Sequence, residues 1–334
     1  MPDSGARLHP DRPYHHTDSG FRNPPGSPTR GRIAFGTMWR FMRHMQAERK
    51  LPVALPDGHV WSKPQVRRGL ADHAGIDSVT WLGHAAFLLR LGGKTVLTDP
   101  YLEATAGPRP WLGPKRFVPA ALAPAELPPV DIIAISHSHY DHLDALALQA
   151  MPDKERVEIV VPLRLGRLLR ELGFRKVTEL DWHDSATFGA VTITALPAVH
   201  GSARSLWDQN KTLWASYGIR AGHRHLWFGG DTAWGPVFQE VGRRHGPFDL
   251  AMIGIGAYEP RSIMESVHAN PEEAVRIGRD LAAARLVGMH WGTVRLTFEP
   301  TFEPPVRFRA AARAAGYADA DAFTMAIGET QALP

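Results

Sequence analysis

The sequence predicts an α/β protein in which sheets are covered on the outside by helices. Three observations predict it. From about residue 79 the chain becomes a series of short β-rich runs separated by turns, several of them nearly continuous apolar stretches, as in strands covered on both faces. Helical patterns fall between some of these runs and not others. With 334 residues, 44% hydrophobic and 22% charged, the composition is that of a globular chain holding one large α/β domain or two of average size.

Residues 1–31 come first, rich in Pro, Gly, Ser, Arg and His with little periodicity; much of this stretch is expected to be irregular or mobile, and no chemistry is expected there. Residues 34–45, "AFGTMWRFMRHM", then place Phe35, Met38, Trp39, Met42 and Met45 on one face at helical spacing, with Arg40, Arg43 and His44 among the polar positions. A short basic amphipathic helix follows. Such a stripe more often packs on the protein's own core, the alternative being contact with an anionic bilayer. Residues 1–70 hold 12 Lys/Arg and 5 Asp/Glu, a charge of +7 that leaves −3 for the remainder of the net +4. They are expected to form a basic N-terminal extension, with a hydrolase body at 71–334.

The expected strands are, in order, "VTWLGHAAFLLRL" (79–91), "KTVLTDP" (94–100), "DIIAISHS" (131–138), "VEIVVP" (157–162), "VTITALP" (191–197), "TLWASYGIR" (212–220), "HLWFGGD" (225–231), "FDLAMIGIG" (248–256) and "ARLVGMHWG" (284–292). Two helices stand out between them. "PLRLGRLLRELG" sets Leu165, Leu168, Leu169 and Leu172 on one face and stops at Gly173, a C-cap position. "NPEEAVRIGRDLAAA" has Asn270 as N-cap, Pro271 at the first helical position, and Glu272 and Glu273 in the first turn.

The chain has no cysteine, which excludes thiolate metal sites, disulfides and a cysteine nucleophile; any metal must be held by His, Asp or Glu. The N-terminus lacks the apolar core of a signal peptide, and no apolar run approaches the roughly 20 residues of a membrane span. A soluble, cytoplasmic protein is expected, with peripheral membrane contact through the N-terminal segment as an added option.

"AISHSHYDHLDAL", residues 134–146, concentrates ligand-type side chains where the "DIIAIS" strand ends. In extended backbone His137 and His139 point to one side. The turn implied by "DHLDAL" brings Asp141 and His142 round on another bearing, which suits two ions side by side better than one tetrahedral centre. Two ions need further ligands. His200 follows "VTITALPAV", Asp231 follows "HLWFGG" and His290 follows "ARLVGM", each just after an expected strand. Glycines 229, 230, 288 and 292 beside two of them permit close backbone approach.

"HSHYDH", the later histidine, the "GGDT" aspartate and the "HWGT" histidine match the metallo-β-lactamase fold hydrolases, whose signature is H-x-H-x-D-H. The phrases "TWLGHA", "LTDP", "GPKRF", "ELPPVD", "ELDW", "DQNKTLWASY", "GPFDLAMIGIGAYEPR" and "HANPEEAVRI", in this order, more closely resemble the N-acylphosphatidylethanolamine-hydrolysing phospholipase D family and its bacterial relatives. The likeness runs from about residue 79 to the end, with a weaker trace in "GFRNP" at 20–24. It implies an αββα sandwich, two mixed sheets face to face with helices outside. It also implies two divalent ions, zinc or else iron or manganese, with His137, His139 and His200 on one, Asp141, His142 and His290 on the other, and Asp231 bridging.

The activity implied is hydrolysis of a phospholipid phosphodiester, with a hydroxide held between the ions as nucleophile. A lactonase or other ester, amide or phosphotriester hydrolase is the alternative on the same site. Nucleic-acid processing is disfavoured, because the positive charge lies in the N-terminal 70 residues and not in the body. By family position Asp99 is expected to orient a metal-ligating histidine and His84 to lie near the ions. His268 is expected to hydrogen-bond a phosphoryl oxygen or the leaving group, and is grouped with Asp141 and Asp231 as catalytic. Tyr140 and Tyr258 are substrate or supporting candidates, though packing is the favoured role for Tyr258. Asn210 and Lys211 match a family motif of undetermined role. A membrane-apposed homodimer is the family's precedent.

Overall fold

The structure is a computed structural model and describes residues 12–29, 31 and 35–333. The chain first builds β1 (Ser78–Gly83), β2 (Ala86–Leu91), β3 (Lys94–Thr98), β4 (Ile132–Ala134), β5 (Glu158–Pro162) and β6 (Lys176–Leu180). It then crosses to β7 (Ser185–Phe188), β8 (Val191–Leu196), β9 (Ser216–Ala221), β10 (Arg224–Phe228), β11 (Phe248–Gly254), β12 (Ala283–Met289) and β13 (Ala322–Thr324). A last strand, β14 (Thr330–Ala332), returns to pair with β1. Among the described residues these make two seven-stranded sheets, ordered β14-β1-β2-β3-β4-β5-β6 and β13-β12-β11-β10-β9-β8-β7. Both are mixed: β3 to β6 run parallel, as do β10 to β13, while the remaining neighbours are antiparallel. The expected sandwich of two mixed sheets is the observed one.

One continuous apolar cluster joins the sheets, with Trp81, Phe87 and Leu89 from the first and Tyr217, Trp227 and Phe228 from the second all fully buried. Burying each such side chain contributes about 1.5–3 kcal/mol, provided its polar atoms find partners. They do. The Tyr217 hydroxyl donates to the Ile135 carbonyl at 2.8 Å, tying the second sheet to the first, and the Trp227 indole donates to Ser216 Oγ at 3.2 Å.

The helices are α1 (Phe35–Glu48), α2 (Lys63–Asp72), α3 (Ala145–Ala150), α4 (Gly166–Glu171), α5 (Val237–His245), α6 (Arg261–Met264), α7 (Pro271–Asp280) and α8 (Pro304–Ala314). The last expected helix begins as read: Asn270 Oδ1 accepts from the Glu273 amide at 2.8 Å and Glu273 Oε2 accepts from the Asn270 amide at 2.9 Å. Gly173 ends α4 with φ 97°. Helix α1 forms near its expected place, but Trp39 and Met42 of its stripe are exposed, at 48% and 53%, while Met38 is half-buried and Met45 buried. The helix rests instead on Phe41 and His44, whose rings pack on Phe298 at 4.9 and 4.6 Å. Residue 70 lies inside α2, so the chain on both sides of the expected boundary forms one helix. No described helix is long and apolar enough to cross a membrane.

The "DIIAIS" run yields a strand of only three residues because Asp99 intervenes. Its carboxylate accepts from the Ser136 amide at 2.6 Å, ending the backbone ladder just before the histidine motif. Strands β6, β7, β13 and β14 had no clear signature, being short and mostly half-exposed. Tertiary pairing defines them.

Candidate metal centre

Asp99, His137, His200, Asp231 and His290 stand just beyond the C-terminal ends of β3, β4, β8, β10 and β12, and His84 follows β1. In open α/β sheets that edge is where ligands bind, since rigid strands deliver loop side chains there. Two ligand groups result. His137, His139, His200 and Asp231 form one, and His84, Asp141, His142 and His290 the other, the ligand atoms of each lying within 4.8 Å of one another.

The first group presents His137 Nε2 and His200 Nε2 to His139 Nδ1 at 2.8 and 3.2 Å. In the second, Asp141 Oδ2 lies 3.0 Å from His84 Nε2, 3.6 Å from His290 Nε2 and 3.8 Å from His142 Nε2. Asp231 sits between the groups. Its Oδ2 is 3.1 Å from His142 Nε2, 3.7 Å from His200 Nε2 and 3.8 Å from His137 Nε2, and its Oδ1 is 3.1 Å from His290 Nε2.

Three of the imidazoles, His137, His142 and His200, have their outward nitrogen engaged elsewhere, which leaves the inward one for the centre. His142 Nδ1 donates to Asp99 Oδ2 at 2.6 Å and His200 Nδ1 donates to the Val267 carbonyl at 2.7 Å. Ser136 Oγ lies 2.9 Å from His137 Nδ1 and donates to Asp99 Oδ2 at 2.5 Å. Asp99 therefore orients two of the imidazoles, directly and through Ser136. His142 Nε2, His290 Nε2 and Asp231 Oδ1 are buried without a hydrogen-bond partner. Orphaned buried polar atoms that converge on one point are costly unless a cation satisfies them. The residues present fit a divalent metal.

Electrostatics favour ligation at the two carboxylates and at two of the imidazoles. Against burial, Asp231 and Asp141 raise His142 well above the usual imidazole value and His290 to about 9, so an ion would displace their protons. Burial alone would push the Asp141 and Asp231 carboxyls up, but the surrounding imidazoles, His142 foremost, hold both well below the usual carboxylate range. Burial, reinforced by neighbouring histidines, drives His137 and His200 well below the usual imidazole value, so both are neutral and able to ligate. His84, Asp99 and His290 have φ of 59°, 30° and 61°, left-handed conformations uncommon for residues with a Cβ. Such strain clusters at functional sites held in place by their surroundings.

His268 joins the centre, its Nε2 3.9 Å from Asp231 Oδ2 and its side chain 15% exposed. Tyr140 instead braces a loop: its hydroxyl donates to the Arg204 carbonyl at 2.9 Å beneath the Arg204 guanidinium. Tyr258 is fully buried, and its hydroxyl donates to Glu303. Asp144 caps α3 by accepting from the Leu146 and Ala147 amides at 3.1 Å. Asn210 anchors a loop, its Oδ1 accepting from the Ser202 amide at 3.1 Å.

The sequence reading missed Asn23 and Ser136. Asn23 Nδ2 donates to the His200 carbonyl and Asn23 Oδ1 accepts from the His200 amide, each at 2.9 Å, so the segment expected to carry no chemistry brackets His200 of the candidate centre from both sides. Its signal was the "GFRNP" trace. Ser136 left no signal beyond its place before His137.

Residues 94–291 match the profile of the Beta-lactamase superfamily domain. An uncharacterized protein of Mycobacterium tuberculosis is 39% identical over 281 residues, covering 82% of this chain and 72% of its own. The N-acyl-phosphatidylethanolamine-hydrolyzing phospholipase D 1 of Caenorhabditis elegans is 38% identical over 237 residues, 67% of each chain. Among solved structures, a metallo hydrolase from the archaeon Ignicoccus hospitalis superposes with a TM-score of 0.57 at 21% identity, over 76% of this chain and 97% of that one, a likeness of fold.

Proposed function

The chain belongs to the beta-lactamase superfamily of metal-dependent hydrolases, and from that premise we propose that it holds two divalent ions and hydrolyses the phosphodiester of an N-acyl-phosphatidylethanolamine-like phospholipid. The observation that carries the two-ion reading is Asp231, one carboxylate within 3.1 to 3.8 Å of imidazoles from both ligand groups. His137, His139 and His200 would hold one ion and Asp141, His142 and His290 the other, with Asp231 shared. All-nitrogen-and-oxygen ligation suits zinc, and also iron or manganese. The substrate class rests on the likeness to the nematode phospholipase.

When bound, such ions supply Lewis acidity and an acidified water near neutral pH. The protein's own groups do the rest. Asp141 and Asp231 remain ionised and hold the ligand array together, yet their two charges do not cancel two divalent cations, so the site stays receptive to an anionic phosphate. Burial lowers His268 to about 4, leaving it neutral at pH 7 and able to donate a hydrogen bond to a phosphoryl oxygen or the departing alkoxide. Asp99 keeps the His142 ring in the tautomer that turns Nε2 inward.

Membrane apposition is part of this reading. A groove of about 1000 Å³ between α1 and the loop at 112–115 is lined by Trp39, Met42, Arg43, Arg49, Leu112 and Lys115. Trp39, Met42, Trp111 and Leu112 are 48–70% exposed, an apolar and cationic combination that suits an anionic lipid surface.

The experiment is a zinc-loaded substrate panel of N-acyl-phosphatidylethanolamine, simple phosphodiesters, phosphotriesters and lactones, with the lipid presented in anionic vesicles and in detergent. Release of phosphatidate and N-acylethanolamine, faster from vesicles, is expected. Turnover of lactones with none of any phosphodiester would overturn the reading.

A further inference from the structure

A second histidine cluster lies apart from the ligand set described above, where the N-terminal segment meets the end of β6. His15 and His16 turn their Nε2 atoms to the two oxygens of one carboxylate, that of Asp181, at 2.5 and 2.7 Å. All three ligand atoms lie within 4.8 Å of one another. Among the described residues no lysine or arginine pairs with Asp181, whose other hydrogen bond at the side chain comes from the Trp182 amide at 2.8 Å.

The surroundings hold the imidazoles in place. The His15 ring stacks on Trp182 with centroids 4.1 Å apart, and Phe21 meets the His16 ring edge-on at 5.1 Å. His15 is 7% exposed, whereas the His16 and Asp181 side chains are 22% and 19% exposed, which leaves one side open to water. Two imidazoles and a carboxylate with an open fourth position form a donor set that suits zinc and its neighbours in the first transition row. A tetrahedral zinc needs its ligand atoms about 3.3 Å apart, given bonds of about 2.0–2.2 Å. The His15 and His16 contacts to Asp181, at 2.5 and 2.7 Å, are shorter than this, as are the 2.8 and 3.2 Å between ring nitrogens of the main centre, so both clusters would have to spread to take an ion.

We propose that His15, His16 and Asp181 bind a separate divalent cation of the zinc class, which fastens the N-terminal segment to the catalytic body. The consequence reaches the main centre through covalent chain. Eight residues beyond His15, Asn23 brackets His200 with two 2.9 Å hydrogen bonds, and between them the Phe21 amide donates to the Asn210 carbonyl at 2.8 Å. The cation would thus be a positioning element for a ligand of another ion. The rival is a purely hydrogen-bonded clamp, in which the carboxylate accepts one N–H from each imidazole.

The test counts metal. Full-length protein is stripped with chelator, reloaded with zinc, desalted and analysed by plasma mass spectrometry, alongside His16→Gln and Asp181→Asn. Each variant is expected to carry one zinc per chain fewer than the parent, whatever number the parent holds at the main centre. Trypsin cleavage after Arg22 should also be faster in the zinc-loaded variants than in the zinc-loaded parent. Unchanged zinc content in either variant, with a far-ultraviolet circular dichroism spectrum matching the parent, would overturn the proposal in favour of the clamp. His15→Gln serves as the replacement if one variant fails to fold.

Discussion

Asp99 shows how much one side chain can organise. Its carboxylate accepts from the Ser136 amide, Ser136 Oγ and His142 Nδ1, all within 2.5–2.6 Å, and so ends β4 and aims two imidazoles of the candidate centre. An Asp99→Asn substitution keeps the shape but replaces one acceptor oxygen by an amide donor. Metal affinity and turnover should each fall about 10–100-fold, as is usual for partners of ligating histidines, with little change in circular dichroism. Zinc competition against a chromophoric chelator measures it; an unchanged affinity would mean that packing alone orients His142. The aspartate was legible as a residue after a strand that matched a family position. Its triple hydrogen bonding was not, because Ser136 and His142 come near it only when β3 and β4 pair in parallel.

At the scale of elements, the turn after β10 carries a tight local constraint. Gly230 has φ 55°, and a Cβ built there would lie 2.5 Å from Ser136 Cβ, a contact no ordinary side chain tolerates. Gly230→Ala would add about 1–2 kcal/mol of left-handed strain to that clash and push Asp231 off its position between the two ligand groups. Loss of bound zinc together with a lower Tm is the expected outcome, read by metal analysis and calorimetry; a variant retaining parental zinc and Tm would show that the turn can relax. The glycine pair before Asp231 was visible in the sequence as a sign of close approach. The neighbour that makes it close belongs to the other sheet. Helix α1 teaches the converse, since its apolar stripe was legible while the face that would be covered was decided by Phe298, some 250 residues downstream.

For the molecule as a whole, acid should destabilise the fold before its carboxylates titrate. Burial, with Arg220 next, lowers His225 to about 4, and burial, with Arg244 next, does the same for His183. Between about pH 6.5 and 4 the unfolded chain binds protons at these positions and the folded chain does not, so stability is full above pH 6.5 and is lost as pH falls. His225 alone should cost on the order of 1–2 kcal/mol by pH 5, after allowance for solvent screening. Tm measured across this range should drop less in His225→Gln than in the parent; parallel slopes would assign the acid lability elsewhere. By itself the sequence determined the α/β class, most of the strands, the hydrolase superfamily and the ligand candidates, because apolar runs, motif phrases and the placing of histidines and aspartates after strands are local properties of the chain. Only the tertiary structure decided how near each of those side chains stands to Asp231, which nitrogens face inward, and that His15, His16 and Asn23 of the N-terminal segment meet Asp181 and His200. The N-terminal contacts join residues more than 160 positions apart, and only the packing of two sheets and an anchored leading segment brings them within hydrogen-bond reach.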